Sequence, residues 1–198
     1  MKTDIVLAGV GGQGSLTASR ILGEAAVAAG LNAVVGEIHG MAQRGGVVES
    51  TVRIGDVHGS IVSDGCADVI VGFEPVETVR VLAKAGPETL VIMNTRPIVP
   101  FTASLTKQKY PELDDLIKAV RQVTEKLLTL DAGALAQSAG SGRAVNSVLL
   151  GALAGTGRLP FDRRFLLEAV LAGVPTKHRD ANVRAFEAGE KVATTNHG

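Results

Sequence analysis

A single cysteine, Cys66, stands among the 198 residues of the chain. One thiol makes no intrachain disulfide and no four-thiolate iron–sulfur or zinc centre. Aromatic residues are nearly as scarce, with five Phe, one Tyr and no Trp, so stacking platforms for single-stranded nucleic acid are not expected. Neither sign of charge is in excess: Lys plus Arg and Asp plus Glu both number 20. A balanced chain has no general electrostatic grip on nucleic acid or on an anionic membrane. The histidines His39, His58, His178 and His197 are scattered without metal-ligand spacing, and no metal site is expected. No apolar run approaches the ~18 residues of a membrane span, and no basic stretch leads into an apolar one at the start. The expected location is the cytoplasm, with no membrane and no nucleic acid as partner.

Glycine, by contrast, is plentiful, at 24 residues, and its placement is informative. Residues 4–8 read as a buried strand, because Ile5, Val6 and Leu7 are contiguous and apolar. The turn "GVGGQG" (9–14) follows. Residues 15–29 then carry apolar side chains at helical spacing up to Gly30, and "NAVVGEI" (32–38) reads as a second strand parallel to the first. "VVESTVRIGDVHGSIV" (47–62) alternates around Gly55-Asp56, which predicts a hairpin or two short strands there. A strand–helix rhythm resumes with "DVIVGF" (68–73), a helix from Pro75, a strand at 89–94, a helix over 112–124 and a strand at 126–132. Helices follow, among them 144–157, 161–173 with Asp162 as its cap, and 179–193. The expected architecture is a Rossmann-like α/β domain over residues 1–193: a mostly parallel sheet with helices on both faces, a β-hairpin insertion after the second strand, and a helical C-terminal third. Residues 194–198 are expected to form a disordered tail.

Gly9, Gly11 and Gly14 fit the G-x-G-x-x-G spacing, with Gly12 and Gln13 at the tip. Such a turn offers backbone N–H groups at a helix N-terminus, where an anion is favoured. Glu37, at the end of the second strand, stands near where a ribose-binding acid would sit. Two readings stay open: a ligand site, or a turn that packs the first helix and serves as an interface. "EIHGMAQRGG" (37–46) places His39, Gln43, Arg44, Gly45 and Gly46 beyond the carboxyl end of the second strand. Arg44 beside two glycines could clamp a carboxylate or phosphate, or form a surface ion pair. No G-x-S-x-G elbow occurs, no Gly-Lys-Ser/Thr follows the glycine turn, and no Gly-Asp-Gly thiamine signature is present. No catalytic residue is expected in this chain alone, as befits a subunit that completes another's active site. The apolar runs "SVLLGALAG" and "FLLEAVLAG" are expected to cover both the sheet and a neighbour, in a homodimer or in a larger assembly.

Five stretches, "DIVLAGVGGQGSLTASRIL", "GEIHGMAQRGGVVESTVRIG", "ADVIVGFEPVE", "NTRPIVP" and "RAVNSVLLGALAGTGRLP", together carry a family resemblance. They resemble the beta (small) subunits of indolepyruvate:ferredoxin oxidoreductases and, more broadly, the gamma-type catalytic domain of the 2-oxoacid:ferredoxin oxidoreductases. The resemblance runs from Met1 to about Ala193. It departs from the family's pattern at Ser15, where a larger apolar residue is usual; Ser15 is also a good helix-capping residue. The resemblance implies CoA-dependent oxidative decarboxylation of an arylpyruvate to an aryl-acetyl-CoA, with ferredoxin reduced. It implies that thiamine diphosphate, Mg and the iron–sulfur clusters sit on a large alpha subunit, that coenzyme A is a co-substrate, that ferredoxin is an indirect partner, and that this chain binds no cofactor by itself. A pyruvate or other 2-oxoacid gamma subunit is the neighbouring alternative. A nicotinamide-binding Rossmann regulatory domain is the alternative from another class.

Overall fold

The contiguous apolar residues at the start of the chain form the centre of the molecule. The computed structural model describes residues 2–39, 46–98 and 109–195. Strand β1 (Lys2–Val10) is buried from Thr3 to Val10, so it lies inside the sheet with both faces covered. Its side chains alternate between two apolar layers. Ile5 and Leu7 enter one, and Val6 and Ala8 enter the other. The same division recurs in β4 (Ala67–Gly72), where Val69 and Val71 oppose Ile70, and in β5 (Ala85–Asn94), where Leu90 and Ile92 oppose Val91 and Met93.

Among the described residues the sheet has six strands in the order β2-β3-β1-β4-β5-β6, with β2 at Ala33–His39, β3 at Val47–Gly55 and β6 at Leu127–Leu130. β3 pairs antiparallel with both β1 and β2, while β1, β4, β5 and β6 pair in parallel. Five strands therefore share one direction and β3 opposes them. The expected parallel relation of β1 and β2 holds, but β3 stands between them. The hairpin is made by β2 and β3; it is not centred on Gly55-Asp56 as the alternation suggests. Val47–Gly55 is one long strand, and the chain after it folds back across that strand as a loop. Thr51 Oγ1 donates to the Ser60 carbonyl (2.6 Å), and Arg53 Nη1 donates to the Gly59 carbonyl (3.0 Å).

Helix α1 (Ser15–Ala28) buries Ala18, Leu22, Ala25 and Ala26 on the first layer. Helices α4 (Ala132–Ser138), α5 (Val145–Gly155), α6 (Arg163–Ala172) and α7 (Thr176–Thr195) complete that layer and make the C-terminal third helical. Asp162 caps α6 through the Arg164 amide (2.8 Å). The opposite layer is covered by α2 (Pro75–Arg80), the 3-10 turn Leu82–Lys84 and α3 (Leu113–Arg121). Helix α2 is shorter than the sequence suggests because β5 already begins at Ala85.

The apolar run of α5 is used within the chain. Ser147–Leu153 is buried, and α7 crosses α5 backbone to backbone. A Cβ on Gly151 would lie 2.0 Å from the Phe186 carbonyl oxygen, and one on Gly189 would lie 1.9 Å from that of Val148. Only glycine allows that approach. Most of the run is therefore spent within the chain, and only its end, Ala154 and Gly155, is half-buried. Among the described residues no helix is long and apolar enough to cross a membrane.

Candidate functional site

The glycine turn is wired inward. Gly12 and Gly14 have φ of 98° and 90°, a left-handed conformation that L side chains rarely adopt. A Cβ on Gly14 would also lie 2.5 Å from Asn146 Nδ2, and that amide donates to the Gly14 carbonyl at 3.0 Å. The third glycine thus lets α1 meet α5. The N-cap of α1 is Gly14, with no side-chain cap. Ser15 is the first helical residue and is buried, so its expected capping role is not realised. Gln13 at the tip turns its amide onto the chain's own backbone: Oε1 accepts from the Val10 N–H (2.6 Å), and Nε2 donates to the Phe73 carbonyl (3.1 Å). The Gly11 N–H donates to the Gly46 carbonyl (2.9 Å), which joins the end of the second glycine-rich stretch to the first.

Beyond the turn, at the carboxyl ends of β1 and β5, lies a cavity of about 850 Å³. This is the end of an open α/β sheet where ligands bind, and the volume is in the range of ligand sites. Gly11, Gly12 and Gln13 line one side; Asn94, Arg96 and Ile98 line another; Gly133 and Gln137 of α4 and Gly142 and Val145 beside α5 close the rest. Among the described residues the lining contains no Asp, Glu, His, Cys, Ser or Lys. Its polar groups are amides, backbone and one guanidinium.

The walls are tied together through one carbonyl. Phe73 is fully buried, and its oxygen accepts from Gln13 Nε2 and from Asn94 Nδ2 (2.9 Å). Asn94 Oδ1 accepts from the Ala132 N–H (3.0 Å) and from the Arg96 N–H (3.4 Å). The side chain of Arg96 lies over Gly133, where an added Cβ would be 2.7 Å from Nη1. Its guanidinium is in no ion pair among the described residues.

Glu74, just behind this wall, is 1% exposed. Its carboxylate accepts from the Glu77 N–H (3.0 Å), the Ile98 N–H (3.2 Å) and the Tyr110 hydroxyl. Burial pushes the Tyr110 hydroxyl pKa up, and the hydrogen bond to Glu74 and the carboxylate's charge push it further. Burial likewise raises Glu77 above the ordinary carboxylate range; Arg80 opposes this and the charge of Glu74 adds to it. Glu77 Oε2 is buried with no hydrogen-bond partner.

The structure brings part of the expected site together. Gly11, Gly12 and Gln13 line the cavity, Gly9 and Gly14 brace the turn, and Gly46 is bonded to it. Glu37 lies on edge strand β2 opposite Ser50 and is not part of the lining. In a dinucleotide fold the ribose-binding acid follows a strand adjacent to that of the glycine turn; here β3 intervenes. His39 closes β2. Gln43, Arg44 and Gly45 lie outside the described residues. Sequence reasoning missed Glu74, Asn94, Arg96, Tyr110 and Gln137. The first three stand in "GFEP" and "NTRP", stretches that carry the family resemblance; a buried Asn ending a strand and an Arg just beyond it were the available signal.

The family description "Pyruvate ferredoxin/flavodoxin oxidoreductase" matches residues 4–192. The chain is 44% identical over 193 residues to the "Indolepyruvate oxidoreductase subunit IorB" of Archaeoglobus fulgidus, covering 98% of this chain and 96% of that one. It is 45% identical over 192 residues to the protein of the same name from Thermococcus kodakarensis, covering 96% and 95%. Its fold superposes on the crystal structure of the keto/oxoacid ferredoxin oxidoreductase gamma subunit from Geobacter sulfurreducens with a TM-score of 0.71, covering 98% of this chain and 99% of that one, at 23% identity. That last likeness concerns the fold. The full-length match and the high identities carry the assignment: the chain belongs to the pyruvate ferredoxin/flavodoxin oxidoreductase family, among its IorB-type indolepyruvate oxidoreductase subunits.

Proposed function

We propose that this chain is the small (beta) subunit of a cytoplasmic indolepyruvate:ferredoxin oxidoreductase and works by completing an active site on a large alpha subunit. The observation that carries the reading is the cavity: an open site at the sheet's carboxyl edge, shaped by oriented amides and one exposed arginine, with no acid, base or nucleophile among the described residues of its lining. Such a wall binds and orients; it does not itself move protons. The overall reaction converts an arylpyruvate and coenzyme A to an aryl-acetyl-CoA and CO₂, with electrons passed singly to ferredoxin.

Thiamine diphosphate with Mg supplies the carbon nucleophile for such a decarboxylation, and iron–sulfur clusters supply the electron path. The described residues of this chain do not fit either group. Among the described residues the cavity lining holds no carboxylate to ligate Mg, and the only thiol in the sequence, Cys66, is exposed. On our reading both groups sit on the partner. This chain contributes fixed donors and Arg96, and on our reading Arg44 with Gln43 and Gly45-Gly46 as well, on a face turned to the large subunit's centre. The bond from Gly11 to Gly46 supports the continuity of that face.

The test is reconstitution. The isolated chain should be colourless and inert toward 2-oxo acids, and should leave NADH and NADPH fluorescence unchanged. With its large subunit it should support indolepyruvate- and CoA-dependent ferredoxin reduction, and Arg44→Ala should raise KM about ten- to hundredfold. Stoichiometric iron in the isolated chain, or wild-type kinetics in the Arg44→Ala complex, would overturn the corresponding part of the reading.

A further inference from the structure

We propose that Glu74 is a positioning residue: its buried carboxylate clamps the cavity wall at Ile98 and thereby sets where Arg96 stands. Three donors converge on this one side chain, and no cation pairs with it among the described residues. A buried, unpaired carboxylate is costly unless its hydrogen bonds are well made. Capping α2 does not require it, since one oxygen suffices there and Asp serves as well. The extra methylene of glutamate sends the second oxygen, Oε1, outward to the Ile98 N–H and to the Tyr110 hydroxyl.

Ile98 and Tyr110 flank residues 99–108, and Ile98 lines the cavity two residues after Arg96. Asn94 fixes the same short segment from its other end, through the Phe73 and Ala132 backbone. Arg96 is therefore suspended between two anchors, and Glu74 is the one that bears charge. The neutral anchor closes the fold; the charged one sets the reach of the guanidinium over Gly133. This inference rests on the reading of the cavity as a ligand wall in the assembled enzyme.

The decisive variants are Glu74→Asp, which keeps the charge and the α2 cap but falls short of Ile98 and Tyr110, and Tyr110→Phe, which keeps the ring. In the complex with the large subunit, Glu74→Asp should raise KM for indolepyruvate or coenzyme A about tenfold while changing kcat less than about twofold. Tyr110→Phe should do the same to a smaller extent. Because Glu74 acts through Arg96, Glu74→Asp combined with Arg96→Ala should be no worse than Arg96→Ala alone. In the full-length chain by itself, amide exchange in Glu74→Asp should accelerate at Ile98 while Glu77 stays protected. Unchanged exchange at Ile98, unchanged KM for both substrates, or additive effects with Arg96→Ala would each overturn the clamp. If Glu74→Asp does not fold, Tyr110→Phe decides on the same measurements. A wild-type complex without indolepyruvate-dependent activity would instead refute the subunit reading, and the exchange result would still judge the clamp.

Discussion

The two ends of the sheet treat charge in opposite ways. At the amino end, Asp4 is fully buried and answered twice, by Arg53 (2.8 Å) across the β1–β3 pair and by Lys2 (2.9 Å). Burial alone would raise its pKa. The hydrogen bonds from Arg53 and Lys2 and the attraction of both charges outweigh burial and hold it below the ordinary value. At the carboxyl end, among the described residues, Glu74 is buried without a cation and Arg96 is exposed without an anion. The first end spends its charges on stability. The second leaves a positive fork without a partner among the described residues, and that contrast in charge is what the variants below test.

The largest effect should come from breaking the amino end. Arg53→Ala leaves Asp4 buried beside a half-exposed lysine and should cost about 3 kcal/mol, read by denaturant unfolding, with KM in the complex unchanged. The same pair sets acid behaviour. The folded-state pKa of Asp4 is depressed, so its contribution is complete above the ordinary 3.8 and is lost as pH falls through the lower folded value. Wild-type protein should lose stability in that acid window, and Arg53→Ala should lose less there.

Next in size, Arg96→Ala should leave unfolding free energy nearly untouched but weaken substrate binding in the complex by ~1.5–3 kcal/mol, a ten- to hundredfold rise in KM. If Arg96→Ala instead lowers stability and spares KM, the contrast between the two ends fails.

The smallest effect sharpens the comparison from within α2. Glu77 carries a buried, unpartnered oxygen and a pKa raised chiefly by burial. Its charged form costs stability at neutral pH, and the cost is relieved as pH falls through the raised pKa. Glu77→Gln should therefore stabilise the chain by ~1 kcal/mol at pH 7, with the gain fading toward the ordinary 4.5, as thermal melts across that range would show.

What was legible in the sequence was what local periodicity decides. Ile5-Val6-Leu7 announced a strand covered on both faces, the apolar spacing of α1 announced its helix, and Pro75 and Asp162 marked helix starts. The glycine turn, picked out by its spacing, lines one wall of the cavity. The position of β3 was not legible, because strand alternation states which residues face the core and not which neighbour the strand takes. The other wall was equally hidden. Asn94, Gln13 and Glu74 act through backbone groups of Phe73, Ile98 and Val10 that only the tertiary fold brings within reach.

The strand that stands between β1 and β2 has a consequence for how the chain assembles. Sequential units of strand, helix and strand ordinarily close on themselves, with the two strands as neighbours. Here β3 follows β2 in the chain yet must stand between β2 and β1. A nascent chain that joins β1 to β2 directly has satisfied local rules and reached a dead end, since β3 can enter only by parting them. A β2–β3 hairpin that forms first avoids that trap, since β3 then still has its other edge free for β1. The Asp4–Arg53 pair forms across the register of those two strands, so its stabilisation is available only to the correct strand order.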